Sequence, residues 1–379
     1  MMPRGFDRLA AILGIIVFMG VIVIILGQRE SRTLLIKHGW DIPSISYVVG
    51  NAYHMDSSPF DGVVVKMDDG LSARVQSQEF IPHSQFEQNI SPMKDADFTT
   101  LKHNFLMVYS TPAGDLFDDW SVPLGNFSTM AHAAKDAGLE GIFFDNEEYF
   151  GDSVSFPENC GAGATVSQCR DQALLRGRQV MEALISAWPD VNVIVAQGPY
   201  VSAPSTAGYF ESHGIAWNDV AWANQLRGSF TVGMAMATLG TEAQFVDGGE
   251  VYTAETREQF DAVKYWQKYG VANDRQLIPA DSASIWPSLV SSSFGVYDRE
   301  PLDDWATKEP EIWKTTLANA LDSSDRYVWA YTESYDWWGV GNPEISVPEA
   351  WLVATREARS PGPDPPSGGH AETSITLGK

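Results

Sequence analysis

The chain has 379 residues, 44% hydrophobic and 12% aromatic, enough for a large buried core and too apolar for a mainly disordered chain. Its 25 Lys and Arg against 49 Asp and Glu give a formal charge of −24, which argues against nucleic acid as a partner and against charge-driven docking on anionic lipid. Two cysteines exclude a disulfide-built scaffold and a cysteine-built zinc site.

The first feature along the chain is an unbroken apolar run from Leu9 to Leu26. As a helix it spans about 27 Å, close to the thickness of a bilayer's hydrocarbon core. Arg4 and Arg8 precede it, and no small-x-small cleavage pattern occurs before Gly27-Gln28-Arg29-Glu30. Residues 1–28 therefore read as an uncleaved signal anchor, a transmembrane helix that makes the lipid bilayer a partner; a cleaved signal peptide is the alternative. Arg29, Arg32 and Lys37 come after the run, so charge does not specify orientation. A short N-terminal anchor usually exports the remainder of its chain, which places residues 29–358 outside the cytoplasm, periplasmic or extracellular. Cys160 and Cys169 bracket a flexible Gly/Ala-rich stretch and would there close a small disulfide loop. Residues 359–379 are Pro/Gly-rich, carry few large apolar side chains and read as a disordered tail.

Between anchor and tail, β-rich runs alternate with helical periods. Leu34-Leu35-Ile36 leads into His38-Gly39-Trp40-Asp41, and Pro43-Ser44 opens a helix with Ile45, Val48, Val49, Ala52 and Met55 on one face. Further strands are predicted at 60–65, 104–109, 141–145, 191–196, 244–247, at Gln276-Leu277-Ile278-Pro279, and at 327–331. The intervening helices include one ending at Gly138, one over 171–188, and one opened by the capping-box pattern Thr256-x-x-Gln259. Eight mostly uncharged runs, each succeeded by helical sequence, suit a parallel sheet covered on both faces. The expectation is an α/β fold, a (β/α)₈ TIM-type barrel; an open doubly wound sheet is the alternative, without its glycine-rich phosphate loop after the first strand.

In such a barrel, chemistry sits at the C-terminal strand ends. Those ends collect Trp40 and Asp41; Asp145, Asn146, Glu147, Glu148 and Tyr149; Gln197 and Tyr200; Asp247 and Glu250; Asp281 and Trp286; and Tyr331, Glu333, Trp337 and Trp338. Paired carboxylates serve glycoside hydrolysis, one protonating the leaving oxygen and one attacking carbon or activating water. Flat aromatic rings can cover the apolar faces of sugars. Glu147 is the first candidate, since strand alternation puts it on the face of Asp145 and Glu148 on the other. A carboxyl so placed should have a raised pKa, which suits a general acid. Glu333 ranks first as its partner and Glu250 close behind, with Asp247 a further candidate. Trp40, Asp41, Asp145, Asn146, Tyr149, Gln197, Tyr200, Asp247, Trp286, Tyr331, Trp337 and Trp338 are candidate sugar contacts, and His38 could also bind substrate; Glu148 reads as a surface or supporting residue. No HExxH, His-x-His or Cys-x-x-Cys occurs, so neither a metal nor another cofactor is expected, and no Gly-x-Ser-x-Gly elbow occurs.

At these residues the chain resembles the barrel glycoside hydrolases, in particular a group of exported, largely uncharacterised bacterial proteins with that fold. The stretches concerned are Gly39-Trp40-Asp41-x-Pro43, Pro59-Phe60-Asp61-Gly62-Val63, Gly141-Ile142-Phe143-Phe144-Asp145-x-Glu147-x-Tyr149, Asp247-Gly248-x-Glu250 and Tyr331-Thr332-Glu333-x-x-x-Trp337-Trp338. The Asn146-Glu147 pair is similar to the Asn–Glu ending strand four in the large clan of retaining barrel glycosidases. That resemblance implies an acid/base role for Glu147 and a sugar-hydroxyl donor in Asn146. The clan carries its nucleophile as a Glu ending strand seven, and none comes after Leu277-Ile278-Pro279. Either Glu333 is that residue or the arrangement differs. The expected function is hydrolysis of a poly- or oligosaccharide outside the cytoplasm; the alternative is a barrel that binds polysaccharide, or scaffolds an envelope assembly, without cleaving it.

Overall fold

The structure, a computed structural model, describes residues 32–217, 226–340 and 345–360. The expected anchor and most of the expected tail lie outside these residues. Among the described residues, no helix is long and apolar enough to cross a membrane.

Nine parallel strands form one sheet that curls into a nearly closed, TIM-like α/β barrel with helices outside. In chain order the early strands are β1 (Leu34–Gly39), β2 (Gly62–Val65), β3 (Phe105–Tyr109), β4 (Gly141–Asp145), β5 (Asn192–Val195) and β6 (Gln244–Asp247). Then come β7 (Val290–Ser292) and β8 (Phe294–Tyr297), a two-stranded hairpin β9 (Arg299–Glu300) and β10 (Ala306–Thr307), and β11 (Tyr327–Thr332). β1 pairs with both β2 and β11, β7 with β6, and β8 with β11. β7 and β8 end the sheet on either side, yet only Ser293 separates them in the chain. The nine strands therefore come from eight passes of the chain. Backbone bonds from Ser293 to Asp247 (2.9 Å) and from Gly295 to Gly249 (3.1 Å) stitch the seam.

The seventh strand is a correction to the sequence reading. Gln276–Pro279 is a turn, although Leu277 and Ile278 are buried; the strand is the serine-rich stretch beyond it. Trp286 moves with it. It precedes β7, is fully buried, and donates from Nε1 to the Gln267 carbonyl at 3.0 Å, so it is a packing residue and not a sugar contact.

Period-two alternation divides the strand side chains between two cores. Ile36, Val64, Phe105, Met107, Phe143, Ile194, Val246 and Trp329 fill the barrel lumen. Their neighbours, including Leu35, Val63, Leu106, Ile142, Phe144, Val193 and Phe245, pack against the helices. The helices bracketing the site are α1 (Ile45–Met55), α2 (His83–Ile90), α3 (Ser121–Asp136) and α4 (Val166–Ala187), then α5 (Thr206–Ser212), α6 (Arg227–Ala237) and α7 (Arg257–Tyr265). Capping boxes at Thr165/Gln168 and Thr256/Gln259 start α4 and α7 by satisfying otherwise unbonded N–H groups. A disulfide joins Cys160, in the loop after β4, to Cys169 in the first turn of α4, with Cα atoms 5.9 Å apart.

Candidate active site at the carboxyl ends of the strands

Alternation continues past the strand ends and builds a mouth from the lumen-facing positions. His38, Tyr109, Asp145, Ala196 and Tyr331 each lie two residues beyond a lumen residue and line a cavity of about 350 Å³, with Phe143 and Trp329 at its floor. Glu147 and Tyr149 extend the same face of β4. Glu250 arrives differently, on the turn after β6. Gly249 has φ 58°, and a Cβ there would lie 2.2 Å from the Ser293 carbonyl oxygen, so only glycine permits this turn. Tyr252 comes after Glu250 into the cavity.

Three carboxyls thus meet. Glu147 accepts from the Tyr149 hydroxyl and, at 3.4 Å, from Gln197 Nε2; its own N–H donates to Asp145 Oδ1 at 3.2 Å. Glu250 shares the cavity wall with Glu147 and Asp145, and Gln197 and Tyr252 are its polar neighbours. The side-chain carbonyl of Gln197 accepts from Arg227 Nη1, so the buried guanidinium turns the amide nitrogen towards the carboxyls. Burial, then the charge of Glu147, pushes Asp145 up to about 8. Burial, with the charges of Glu147 and Asp145, raises Glu250 well above the usual carboxyl range; its Oε2 is shielded from solvent and has no hydrogen-bond partner among the described residues. Raised proton affinity in the mouth is found on Asp145 and Glu250.

Glu148 turns away from the cavity. It accepts from Ser153 N–H (2.8 Å), Val154 N–H (3.0 Å) and the Ser155 hydroxyl (3.0 Å), and faces Arg227 at 3.7 Å. It anchors the loop that the disulfide also fastens.

Glu333 lies beside the main cavity, in an adjoining depression of about 350 Å³ that also touches Glu147 and Glu250. Its carboxylate accepts from Tyr297 at 2.6 Å and pairs with Arg299 at 3.4 Å. Glu250 shares both depressions with Glu147, and Glu333 shares the outer one. Trp40 stands 77% exposed at the rim, bordering the cavity and a second, shallower depression that holds Asp41 and Glu333. Asp41 is itself held by Lys37 and by the Trp337 N–H at 2.9 Å.

Several expected sugar contacts are placed elsewhere. Asn146 is buried and exchanges two bonds with the Gln197 backbone, at 2.8 and 3.0 Å, leaving its amide no role in the mouth. Gln197 itself is buried and donates to Glu147. Asp247 has the parity of Phe245, so it points outward between barrel and helices, where its Oδ1 accepts from Gly249 N–H (3.1 Å) and Gln267 (3.0 Å). Burial pushes it up to about 7. Tyr200 is packed against Phe210 and Trp217. Trp337 and Trp338 pack on Phe60, at centroid distances of 4.9 and 6.2 Å.

The sequence reading passed over Tyr109, Tyr252 and Trp329, whose lumen parity was a usable signal, and Tyr297, Arg299 and Trp305, which a misplaced seventh strand concealed. His38 is buried among Phe143, Trp329 and Tyr331, and burial together with the Lys37 charge lowers it to about 3, so it stays neutral. Among the described residues, no group of three or more His, Cys, Asp or Glu is arranged to hold a metal ion.

No family model and no curated protein matches the chain, so neither supports the resemblance to the exported bacterial group. Among solved structures it is similar to mannonate dehydratase from Streptococcus suis serotype 2, at 11% identity and TM-score 0.43 over 92% of this chain and 99% of that one. It is also similar to an exo-β-1,4-mannosidase from Opitutaceae bacterium strain TAV5, at 11% identity and TM-score 0.42 over 86% of this chain and 59% of that one. A broad-specificity endoglucanase from an uncultured bacterium gives 10% identity and TM-score 0.41 over 84% and 85%. At these values the likenesses bear on neither activity nor substrate.

Proposed function

We propose that the protein is a glycoside hydrolase in which Glu147 and Glu250 form the working pair. One observation carries this reading: Glu147 and Glu250 line the same two depressions at the mouth, near enough for the charge of Glu147 to raise Glu250. Glu250, raised by burial and by its acidic neighbours, is the proton donor to the leaving oxygen. Glu147, fed by Tyr149 and Gln197, is the carboxylate that attacks the anomeric carbon or activates water. Asp145, also raised, is a hydrogen-bond donor to substrate at neutral pH. Tyr109, Tyr252, Tyr331 and Trp40 supply the flat walls that sugar rings require.

The same proposal places the enzyme outside the cytoplasm, tethered by the apolar run from Leu9 to Leu26. The Cys160–Cys169 disulfide supports an oxidising compartment. Fractionation with protease accessibility on intact cells tests this address, and a protected body refutes it.

The activity is tested by presenting the full-length protein with a panel of oligo- and polysaccharides and detecting new reducing ends. Glu147→Gln and Glu250→Gln should each abolish product. Binding without turnover by the unaltered protein would overturn the enzyme reading in favour of a polysaccharide-binding barrel.

A further inference from the structure

The β9–β10 hairpin rises beside the mouth, and its connection ends in an unusual pair. Asp304 and Trp305 have φ of 48° and 57°. Aspartate tolerates the left-handed region; a bulky aromatic there is an outlier that persists only where its surroundings fix it, commonly at sites of function. The surroundings do fix it. The Trp305 N–H donates to the Glu300 carbonyl at 3.1 Å, and that of Ala306 to the Asp303 carbonyl at 2.9 Å. At the hairpin's foot the buried Lys308 pairs with Glu300 at 2.9 Å and with Glu255. Thr307 bonds Ser334 at 2.9 Å.

All this holds a side chain that is not consumed by packing. The indole is 52% exposed and meets Tyr297 at a centroid distance of 5.8 Å. It borders the depression that continues outward from Glu147 and Glu250. Arg299 and Glu333 border it too, and because they pair with one another at 3.4 Å, the depression offers hydrogen bonds without a large net charge.

Building on the glycosidase reading, we propose that Trp305 is a stacking platform for a second sugar ring, so that the site takes a neutral oligosaccharide extending over the β9–β10 hairpin rather than a lone monosaccharide. The ring next to the reacting one lies across the indole, with Arg299 and Glu333 reaching its hydroxyls. The strained backbone is what turns the indole towards the carboxyls instead of into the core.

The test uses the full-length chain carrying Glu147→Gln to stop turnover. Calorimetry tracks binding of gluco-, manno-, xylo- and N-acetylchito-oligosaccharides of one to four units. Affinity should rise with length, and Trp305→Ala should remove roughly tenfold of that rise, while Trp305→Phe keeps most of it. Trp305→Gly should remove it as well yet melt no lower than the parent, because glycine accepts the left-handed backbone. A length dependence undiminished in Trp305→Ala overturns the platform and leaves the glycosidase reading standing. So does an equal loss for monosaccharide and tetrasaccharide. Failure of the parent to bind any sugar in the panel overturns both.

Discussion

Replacing Asp247 by Asn should make the protein more stable at pH 8 and nearly unchanged at pH 3.5. The carboxyl is fully buried, its Oδ1 accepts from Gly249 and Gln267, and its Oδ2 has no hydrogen-bond partner among the described residues. Burial raises its pKa from 3.8 to about 7. In the unfolded chain the same group loses its proton near pH 4. Between those values the folded state binds the extra proton, so stability falls as pH rises through the window and levels off above about 7. Across about three pH units, at 1.36 kcal/mol each, the loss is about 4 kcal/mol. Asparagine keeps the Oδ1 acceptor and the shape but has no proton to lose. The melting-temperature difference between variant and parent should therefore open from near zero at pH 3.5, through about a third of its full size at pH 5, to about 5–6 °C at pH 8. Other raised groups, Asp298 at about 6 among them, titrate in both proteins and cancel in the difference. Calorimetric scans of both proteins at half-unit steps from pH 3.5 to 8.5 read it directly. Parallel melting curves would show that Asp247 is not held protonated in the folded state.

Glu250→Gln should lower kcat on unactivated glycosides by about 10²–10⁴ and be partly rescued by aryl glycosides with good leaving groups; Glu147→Gln should stay silent on both. The opposite pattern exchanges the two roles. Because Asp145 is pushed up to about 8 and Glu250 is raised as well, the alkaline limb of kcat/KM should fall near or above pH 8, and a limb below pH 6 would contradict a proton stored on these carboxyls. Glu148→Ala should cost about 3–5 kcal/mol, because it strips the N–H groups of Ser153 and Val154 of their acceptor and leaves Arg227 facing no carboxylate at that position; denaturant unfolding measures it, and a loss under 1 kcal/mol would refute the anchoring role.

The parts of this molecule that were legible in the sequence are those where one rule acts alone. Strands β4 and β6 begin and end where their apolar runs do, because every residue of β4 and all but the first of β6 are buried and nothing but hydrophobicity is required of them. The seventh strand fails that rule for a physical reason. Ser292 and Ser293 lie at the seam where the partner changes from β6 to β11, and small side chains suit this change of neighbour, so the strand reads as a loop. Leu277 and Ile278 are buried without being in a strand, and a local pattern cannot separate burial from β structure. The same logic sorts the carboxylates. Counting by twos from Phe143 leads to Asp145 and Glu147 in the mouth; counting by twos from Phe245 leads Asp247 out of it, a result open to the sequence alone. Glu250 has the parity of Val246 but lies beyond the strand, on a glycine turn whose direction depends on the Ser293 carbonyl across the seam. The residue that completes the site was therefore the one whose position is set by a long-range contact. That contact belongs to the strand the sequence hid. Locating β7 and β8 is what ranks Glu250 above Glu333, because Tyr297 and Arg299, just beyond the seam, are the groups that occupy Glu333.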